Sequence, residues 1–178
     1  MGISTKTGDS GKTSFFSGEK ISKTDLRICS IGTLDELISF LGIARSIAAA
    51  DHKIKDVIIK IQSNFMMLCN LMYDCSKASD EKILEKINEI EHNTSAIESK
   101  INLPKKFIVP GATTLSAQID YARSIARRLE REMFQSKEAG HDVNKYALIY
   151  LNRLSDYLFI LARDIDFSEK HGFDTLAK

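Results

Sequence analysis

Apolar residues recur every three or four positions along most of this 178-residue chain. That spacing places them on one face of an α-helix, in which about 3.6 residues make a turn. Breaks in the pattern divide it into five stretches, and both prolines of the chain fall between two of them. The sequence therefore predicts an all-α fold, a five-helix up-and-down bundle that forms a single domain over residues 1–178.

Capping signals and helix breakers give the predicted boundaries. Thr33 and Glu36 form a capping-box pattern, which predicts that the first helix begins at Thr33. The other four helices are predicted over about residues 53–77, 80–101, 114–138 and 142–168. Either Asp142 or Asn144 begins the last of them. Residues 102–113 contain both prolines and form the long interior loop, whose apolar side chains we expect to cover one end of the core.

Charge and cysteine content narrow the classes of function. The formal net charge is +1, so no overall field attracts nucleic acid, and we expect no nucleic-acid partner. Cys29, Cys69 and Cys75 share no CxxC spacing, and the four histidines lie far apart, which predicts reduced thiols and no metal site made of side chains. Without a recognisable signal peptide or membrane-length apolar run, we expect a cytoplasmic protein with no membrane partner.

Residues 1–32 are small and polar and show no helical period. Residues 4–14 should form an irregular loop with many backbone N–H and hydroxyl donors. Such loops cradle phosphates, but chain termini are also often disordered, and this run alone favours neither interpretation. Residues 11–13 read Gly-Lys-Thr, like the end of a P-loop, yet Lys6 stands where the first glycine of that motif belongs, so we reject a P-loop.

The fourth helix carries a charged flank beside its apolar stripe. This flank consists of Asp120, Arg123, Arg127, Glu130 and Arg131, with Arg128 further toward solvent. A solvated surface with helical ion pairs is one interpretation. Because arginine can bind phosphate through two parallel hydrogen bonds, a site for a small anion is the other.

The fifth helix is apolar around most of its circumference, which indicates burial among other helices. Its residues Asn152, Asp156 and Arg163 nevertheless share one arc. Buried polar groups need partners, so these residues either pair with the arginines of the fourth helix or form a site. The two interpretations are compatible.

Several spaced motifs together resemble the PduO-type ATP:cob(I)alamin adenosyltransferases over about residues 3–164. They are Thr5-Lys-Thr-Gly-Asp-Ser-Gly-Lys-Thr13, Gly32-Thr-Leu-Asp-Glu-Leu37, Phe107-Ile-Val-Pro-Gly111, Arg123-Ser-Ile-Ala-Arg-Arg-Leu-Glu-Arg131 and Asn152-Arg-Leu-Ser-Asp156. None is specific alone, but their agreement in the same order is highly specific.

The resemblance implies a five-helix fold, a homotrimer with active sites between subunits, and transfer of the 5′-deoxyadenosyl group of ATP to the cobalt of reduced cob(I)alamin. The triphosphate leaves together with Mg²⁺, which the ATP phosphates rather than protein side chains would mainly hold. A corrinoid reductase and a B12-dependent enzyme are further implied partners. Cobalt is then the nucleophile, which fits a chain without a catalytic Ser, Cys or His constellation.

The resemblance also implies an ATP site. Its residues would be Thr5, Lys6, Thr7, Gly8, Asp9, Ser10, Gly11, Lys12, Thr13, Lys23, Arg127, Arg128, Glu130, Arg131 and Asn152. Arg127 would hold the triphosphate, Glu130 would face the nucleotide, and Asn152 would bond to it. For Arg128 and Arg131, phosphate contact and structural pairing with residues such as Asp156 both stay open.

Three residues would serve the corrinoid. Asp35 and Arg123 match a pair that bridges the subunit interface beside it, although the pattern alone would only place Asp35 in the first turn of a helix. Phe107 matches an aromatic residue that helps to exclude the lower axial base from cobalt. Together with Arg127, these three form the predicted catalytic set.

The chain departs from the family pattern at several positions around these motifs. Cys29 and Ile38 stand where glutamate and asparagine are common, Ala112 replaces the second glycine of the Pro-Gly-Gly loop, and Ser17 replaces a frequent glycine. None belongs to the proposed phosphate set. The alternative function is a corrinoid-delivery or ATP-sensing binding module on the same fold.

Overall fold

The computed structural model describes residue 6 and residues 8–15, 18–50, 52–73 and 80–176, and within this part of the chain the fold is mainly helical. The helices are α1 (Leu26–Ile47), α2 (Ile54–Ser63), α3 (Phe65–Tyr73), α4 (Asp80–Glu98), α5 (Thr114–Glu138) and α6 (Lys145–Ser168). Two short strands, β1 (Lys12–Ser14) and β2 (Lys20–Ser22), precede them. Because a single residue separates α2 from α3, the two occupy the place of the predicted second helix, and the five-helix architecture is confirmed.

Helix α5 lies between α1 and α6, and α6 packs on its other side against α4. The shorter α2 and α3 pack against α1. One apolar cluster runs through all six helices and includes fully buried leucines of α1, α5 and α6. Burying a leucine side chain stabilises a fold by about 1.5–3 kcal/mol, so this cluster holds the charged flank of α5 on a fixed frame. Among the described residues, no helix has both the length and the apolar content to cross a membrane.

The first helix begins at Leu26, so the predicted beginning at Thr33 is wrong. Asp25 is the N-cap, and its Oδ1 atom accepts a hydrogen bond of 2.9 Å from the backbone N–H of Arg27. Thr33 instead lies inside the helix, buried, and its hydroxyl donates to the carbonyl of Cys29 at 3.2 Å. In the first turns of α1 the buried face carries the hydroxyl side chains of Ser30 and Thr33. The spacing of apolar residues therefore did not predict these turns.

The predicted second helix is broken at Asn64. The side-chain Nδ2 of Asn64 donates to the hydroxyl of the buried Tyr150 in α6 at 3.2 Å. Asparagine is a poor residue for a helix interior because its side chain competes for hydrogen bonds. Here that side chain ties the junction of α2 and α3 to the centre of the bundle.

The N-terminal region contains a β-hairpin, which the prediction of an irregular loop without strands missed. Strands β1 and β2 are antiparallel, with Thr13 opposite Ile21. The backbone N–H of Phe15 donates to the carbonyl of Glu19 at 2.8 Å, and Gly18 adopts a φ of +84° that favours glycine. Each strand has only three residues, too few to show an alternating pattern.

The boundaries of the last two helices agree with the prediction. Thr113 caps α5 through a capping box with Ser116, and Gly140 follows its end with a φ of +90°. Asn144, one of the two predicted starting residues, caps α6 by accepting a 2.8 Å hydrogen bond from the backbone N–H of Tyr146.

The interior loop between α4 and α5 is tied to the C-terminal tail. Ile108 and Thr175 form an isolated antiparallel bridge, flanked by backbone hydrogen bonds from Val109 to Asp174 and from Leu176 to Phe107. Of the three apolar residues at 107–109, only Ile108 is buried, and it lies outside the main core cluster. The loop therefore does not cover the core with all its apolar side chains, as the sequence suggested.

Candidate functional site

A cleft of about 290 Å³ opens where α4, α5 and α6 meet. Its lining residues are Thr94, Glu98, Arg123, Arg127, Ser155, Asp156, Phe159 and Ile160. The two arginines come from the charged flank of α5 and face polar residues of α6. The cleft is a place where a negatively charged ligand would find positive side chains at the edge of a rigid helical core.

The four arginines of the flank differ in their partners. Arg128 forms an ion pair with Glu36 of α1 and lies 3.9 Å from Glu132. Its pairing is thus structural, but with Glu36 rather than with the suggested Asp156. Arg127 and Arg131, by contrast, are exposed and make no ion pair or hydrogen bond with any described residue. Their guanidinium groups are therefore the ones available to an anion.

Glu130 and Asn152 meet across the interface between α5 and α6. The Nδ2 atom of Asn152 donates to Oε1 of Glu130 at 3.1 Å, and its Oδ1 accepts from Nη1 of Arg153 at 2.9 Å. The structure thus brings together two residues that the sequence assigned separately to the nucleotide. The pair is half-buried beside the unpaired arginines, so it could fix the orientation of a ligand held by them.

Arg123 has a different environment, because it lies beside the buried carboxylate of Asp120. Its Nε atom lies 3.8 Å from Oδ1 of Asp120, whose Oδ2 accepts a 2.5 Å hydrogen bond from the fully buried Arg163. Burial raises the pKa of the Asp120 carboxyl, and the positive charges of Arg163 and Arg123 oppose that rise. Arg163 thus pairs with a carboxylate of the fourth predicted helix rather than with its arginines.

The residues proposed to wrap a nucleotide lie together at the N-terminal hairpin. Residues 8–11 form a turn in which the N–H of Gly11 donates to the carbonyl of Gly8, and the N–H of Asp9 donates to the carbonyl of Lys6. Lys23 lies against this turn, since a Cβ atom added to Gly8 would come within 3.1 Å of its Nζ. Lys12 and Thr13 continue the turn into β1. Thr5 and Thr7 lie outside the described residues.

An ionic and aromatic cluster anchors this hairpin to the bundle. Asp25 accepts two side-chain hydrogen bonds from Arg27, at 2.9 and 2.8 Å, and these lower the pKa of Asp25 to about 2. The Arg27 guanidinium lies 4.9 Å from the centroid of the Phe15 ring, which in turn packs edge-on against Tyr73 of α3. The Tyr73 hydroxyl is hydrogen-bonded to Ser30 at 2.5 Å. Sequence reasoning missed this cluster because its members have no common spacing.

Asp35 and Arg123 do not meet within one chain. Asp35 is exposed on α1 and lines a pocket of about 390 Å³ with Thr13, Ser14 and Phe15 of the hairpin. That pocket shares no residue with the cleft that contains Arg123. Phe107 lies in the loop between α4 and α5 and is 70% exposed.

A third cavity, of about 320 Å³, lies between α2, α4 and α6. Its lining is mainly apolar and includes the buried hydroxyl groups of Tyr150 and Tyr157, whose pKa values burial raises to about 12. None of the residues that the sequence assigned to a site lines it. The pocket that contains Asp35 and Thr13 is larger, at about 390 Å³.

No group of three or more His, Cys, Asp or Glu residues in the described ranges could hold a metal ion. Cys29 and Cys69 are unpaired thiols, as predicted, whereas Cys75 lies outside the described residues. Cys29 is exposed, and burial raises the pKa of Cys69 to about 11, so Cys69 is a protonated, packed side chain at neutral pH.

The helical bundle thus presents two arginines of α5 that are unpaired among the described residues, Arg127 in the cleft and Arg131 outside its lining. The chain belongs to the cobalamin adenosyltransferase family, whose model matches residues 3–165. It is 36% identical over 177 residues to the corrinoid adenosyltransferase PduO of Salmonella typhimurium, covering 96% of this chain and 51% of that protein. It is also 34% identical to the corrinoid adenosyltransferase of Mycobacterium leprae, covering 90% of this chain and 89% of that protein. The chain thus spans about half of the PduO relative and most of the mycobacterial one.

Solved structures agree with this membership. A variant PduO-type ATP:corrinoid adenosyltransferase from Lactobacillus reuteri, complexed with cobalamin and ATP, superposes with a TM-score of 0.89 and 28% identity, covering 99% of this chain and 97% of that one. Another variant of this type from the same organism, complexed with ATP, also gives a TM-score of 0.89, with 98% and 100% of the two chains covered. The mostly helical fold predicted from the resemblance is therefore confirmed.

Proposed function

We propose that this chain transfers the 5′-deoxyadenosyl group of ATP to the cobalt of cob(I)alamin, forming adenosylcobalamin and triphosphate. The observation that carries the proposal is the pair of unpaired guanidinium groups, Arg127 and Arg131, on a helix whose neighbouring arginines are engaged. Membership of the cobalamin adenosyltransferase family supports it, as do neighbours complexed with cobalamin and ATP. We further infer that residues 1–178 act as one domain.

The reaction is a displacement at the C5′ carbon of ATP. The electron pair of Co(I) forms the cobalt–carbon bond, the bond between C5′ and O5′ breaks, and its electrons leave on the triphosphate oxygen. Cobalt becomes formally Co(III), and no proton has to be taken from a side chain. The protein then has two tasks, which are to align C5′ with cobalt and to stabilise charge on the leaving triphosphate.

The cleft and the hairpin divide these tasks. Arg127 and Arg131 would bind the triphosphate, while the hydrogen-bonded pair of Glu130 and Asn152 would orient the nucleotide beside them. The turn at residues 8–11, with Lys6, Lys12, Thr13 and Lys23, would contribute further phosphate donors from the hairpin. Mg²⁺ held by the ATP phosphates would supply additional positive charge.

We propose that the active unit is a homotrimer with sites between subunits. Asp35 and Arg123 lie in separate pockets of one chain, so they would meet only if Asp35 of one subunit approached Arg123 of the next. Helices α1 and α5 also carry large apolar side chains that are 44–54% exposed in the single chain. Such exposed apolar side chains are typical of a surface that another subunit covers. These side chains are Ile43, Ile47, Tyr121 and Phe134.

Phe107 would act on the corrinoid. Its exposed ring stands on a loop that the C-terminal tail holds in place, and it would exclude the lower axial base from cobalt. A four-coordinate Co(II) centre is easier to reduce to Co(I). Replacing Phe107 by alanine should therefore abolish the spectrum of four-coordinate Co(II) in the presence of ATP without changing stability. Persistence of that spectrum would contradict this role.

The chemistry also defines the class of partners. A reductase must supply the electron that converts Co(II) to Co(I), and a B12-dependent enzyme would use the adenosylated product. We propose that the protein works in the cytoplasm together with both partners.

One experiment tests the proposed function directly. The purified protein is mixed with chemically reduced cob(I)alamin and Mg-ATP, the absorption spectrum is followed, and the phosphate product is identified. We expect adenosylcobalamin and triphosphate in equal amounts. Release of phosphate and diphosphate from the reaction itself, or no alkylation of cobalt, would contradict the proposal. Binding of both ligands without turnover would indicate a corrinoid-delivery or ATP-sensing module instead.

A further inference from the structure

Four charged side chains form a balanced cluster between α5 and α6, beneath the cleft. Arg163 is completely buried, and the side chains of Asp120 and Asp166 are 5% and 1% exposed. Nη2 of Arg163 lies 2.5 Å from Oδ2 of Asp120, and its Nε lies 3.1 Å from Oδ2 of Asp166. Arg123, at 29% exposure, is the fourth member and the only one with substantial access to solvent. Two positive and two negative charges thus balance in this cluster.

Stability alone does not account for such a cluster. Taking charges out of water is costly, and well-packed apolar residues in the same place are often as stabilising as a buried ion pair. A buried charged group can instead serve to fix the position of its neighbours. Here the outward neighbour is Arg123, a residue that lines the cleft.

Asp120 has one oxygen for each arginine. Its Oδ2 is engaged by Arg163, whereas its buried Oδ1 has no hydrogen-bond partner among the described residues and lies 3.8 Å from Nε of Arg123. That distance is an ion pair without a formed hydrogen bond. A small movement of the Arg123 side chain would complete the bond.

Phe159 links the same two arginines a second time. The guanidinium carbon of Arg163 lies 5.4 Å from the centroid of its ring, and that of Arg123 lies 6.0 Å from it. Arginine is attracted to the electron-rich face of an aromatic ring at such distances. Two groups that contact Arg123 are thus both held by Arg163.

We propose that Asp120, fixed by Arg163, is a positioning residue that aims the guanidinium of Arg123 for corrinoid binding across the subunit interface. The proposal rests on the proposed function, in which Arg123 lies beside the corrinoid. It goes further because it assigns the direction of Arg123 to residues that touch neither substrate. The positive charge of Arg163 also counters the effect of burial on the pKa of Asp120, and so helps to keep that carboxylate ionised.

A double-mutant cycle tests the proposal. Asp120→Asn, Arg123→Ala and the double variant are compared with wild type for kcat and for KM towards cob(I)alamin and ATP. We expect Asp120→Asn to lower kcat/KM for cob(I)alamin about tenfold, while KM for ATP stays unchanged. In the Arg123→Ala background the same change should have less than about a twofold effect, because its target is gone.

Asp166→Asn is the matched control. It removes a buried carboxylate from the same arginine, but Asp166 makes no contact with Arg123 among the described residues. We expect it to lower the thermal midpoint about as much as Asp120→Asn does, with little change in kcat/KM for cob(I)alamin. An equal kinetic loss in both variants would show a general structural effect and overturn the proposal.

If Asp120→Asn fails to fold, Arg163→Lys takes its place in the double-mutant cycle. Lysine keeps a positive charge near Asp120 but lacks the planar guanidinium group that holds the carboxylate. Its effect on kcat/KM for cob(I)alamin should likewise be small in the Arg123→Ala background. If the wild type forms adenosylcobalamin but the effect of Arg163→Lys or Asp120→Asn simply adds to that of Arg123→Ala, the positioning role alone would be overturned. Absence of adenosylcobalamin with the wild type would overturn the proposed function and this proposal together.

Discussion

The cleft on α5 and α6 and the N-terminal hairpin would contact the same nucleotide, but they are supported very differently. Most cleft residues stand on the two long helices α5 and α6, which pack against each other through a continuous apolar core. The hairpin has two three-residue strands, and within the described part of the chain a cluster of Asp25, Arg27 and Phe15 anchors it to the bundle. The cleft can therefore be formed before ligand arrives, whereas the hairpin can adjust at little cost in free energy.

Replacing Arg127 should lower kcat more than any other substitution proposed here, and it tests the contribution of the cleft. We expect Arg127→Ala to lower kcat about 10²–10³-fold, because the leaving triphosphate loses a charged donor. The side chain is exposed and unpaired, so far-ultraviolet circular dichroism and the thermal midpoint should not change. Arg45→Ala, at the end of α1, is the control and should leave kcat unaffected. Full turnover by Arg127→Ala would remove the triphosphate assignment.

Loss of Asn152 should have an intermediate effect. Removing the hydrogen bond between Asn152 and Glu130 leaves both side chains without a fixed orientation, and we expect Asn152→Ala to reduce kcat/KM for ATP about 10–30-fold. Glu130→Gln should be non-additive with it, since the two residues act as a pair. Steady-state kinetics of both single variants and the double variant measure the coupling. Additive effects, or an equal loss in the exposed control Asn102→Ala, would argue against a shared role.

Loss of Lys23 tests the hairpin side and should matter less. Its ammonium group lies against the turn at residues 8–11, so Lys23→Ala removes one phosphate donor from a segment that can adjust. We expect KM for ATP to rise about three- to tenfold with a smaller change in kcat. Lys20→Ala is the matched control, because Lys20 donates to Ser14 at the other end of the hairpin. Equal effects of the two substitutions would mean that charge near the hairpin, rather than the position of Lys23, determines ATP affinity.

The smallest effect concerns the anchor of the hairpin and depends on pH. The pKa of Asp25 is lowered from 3.8 to about 2, so its pair with Arg27 stabilises the fold above pH 4 and this contribution is lost as the pH falls towards 2. We expect Asp25→Asn to cost about 1–2 kcal/mol at neutral pH and to flatten the acid dependence of stability in that window. Urea unfolding at several pH values measures both. An unchanged acid dependence would show that Asp25 is not the group responsible.

The regular parts of the fold were predictable from the sequence for physical reasons. In α5 and α6 the apolar stripe coincides with the buried face, and Thr113 and Asn144 cap the ends through their own side chains. The beginning of α1 was not predictable, because Ser30 and Thr33 extend its buried face with hydroxyl groups that bond within the helix.

The candidate site shows a similar division. The pattern of α5 alone located its charged flank, and the family resemblance singled out Arg127, Glu130 and Asn152. Periodicity describes one helix at a time, so it could not show that Arg163 would meet Asp120 rather than an arginine. Periodicity could not predict the ion pair between Arg128 and Glu36 either, because these residues lie 92 positions apart on different helices.

The contact between the C-terminal tail and the loop at residues 107–109 has a practical consequence for protein engineering. The backbone of Leu176 donates to the carbonyl of Phe107, and that of Val109 donates to the carbonyl of Asp174. A chain shortened before His171 would keep every helix of the bundle but leave both backbone groups of the loop without these partners. Deleting the tail is therefore a way to loosen the loop that carries Phe107 while the helices and the arginines of the cleft stay in place.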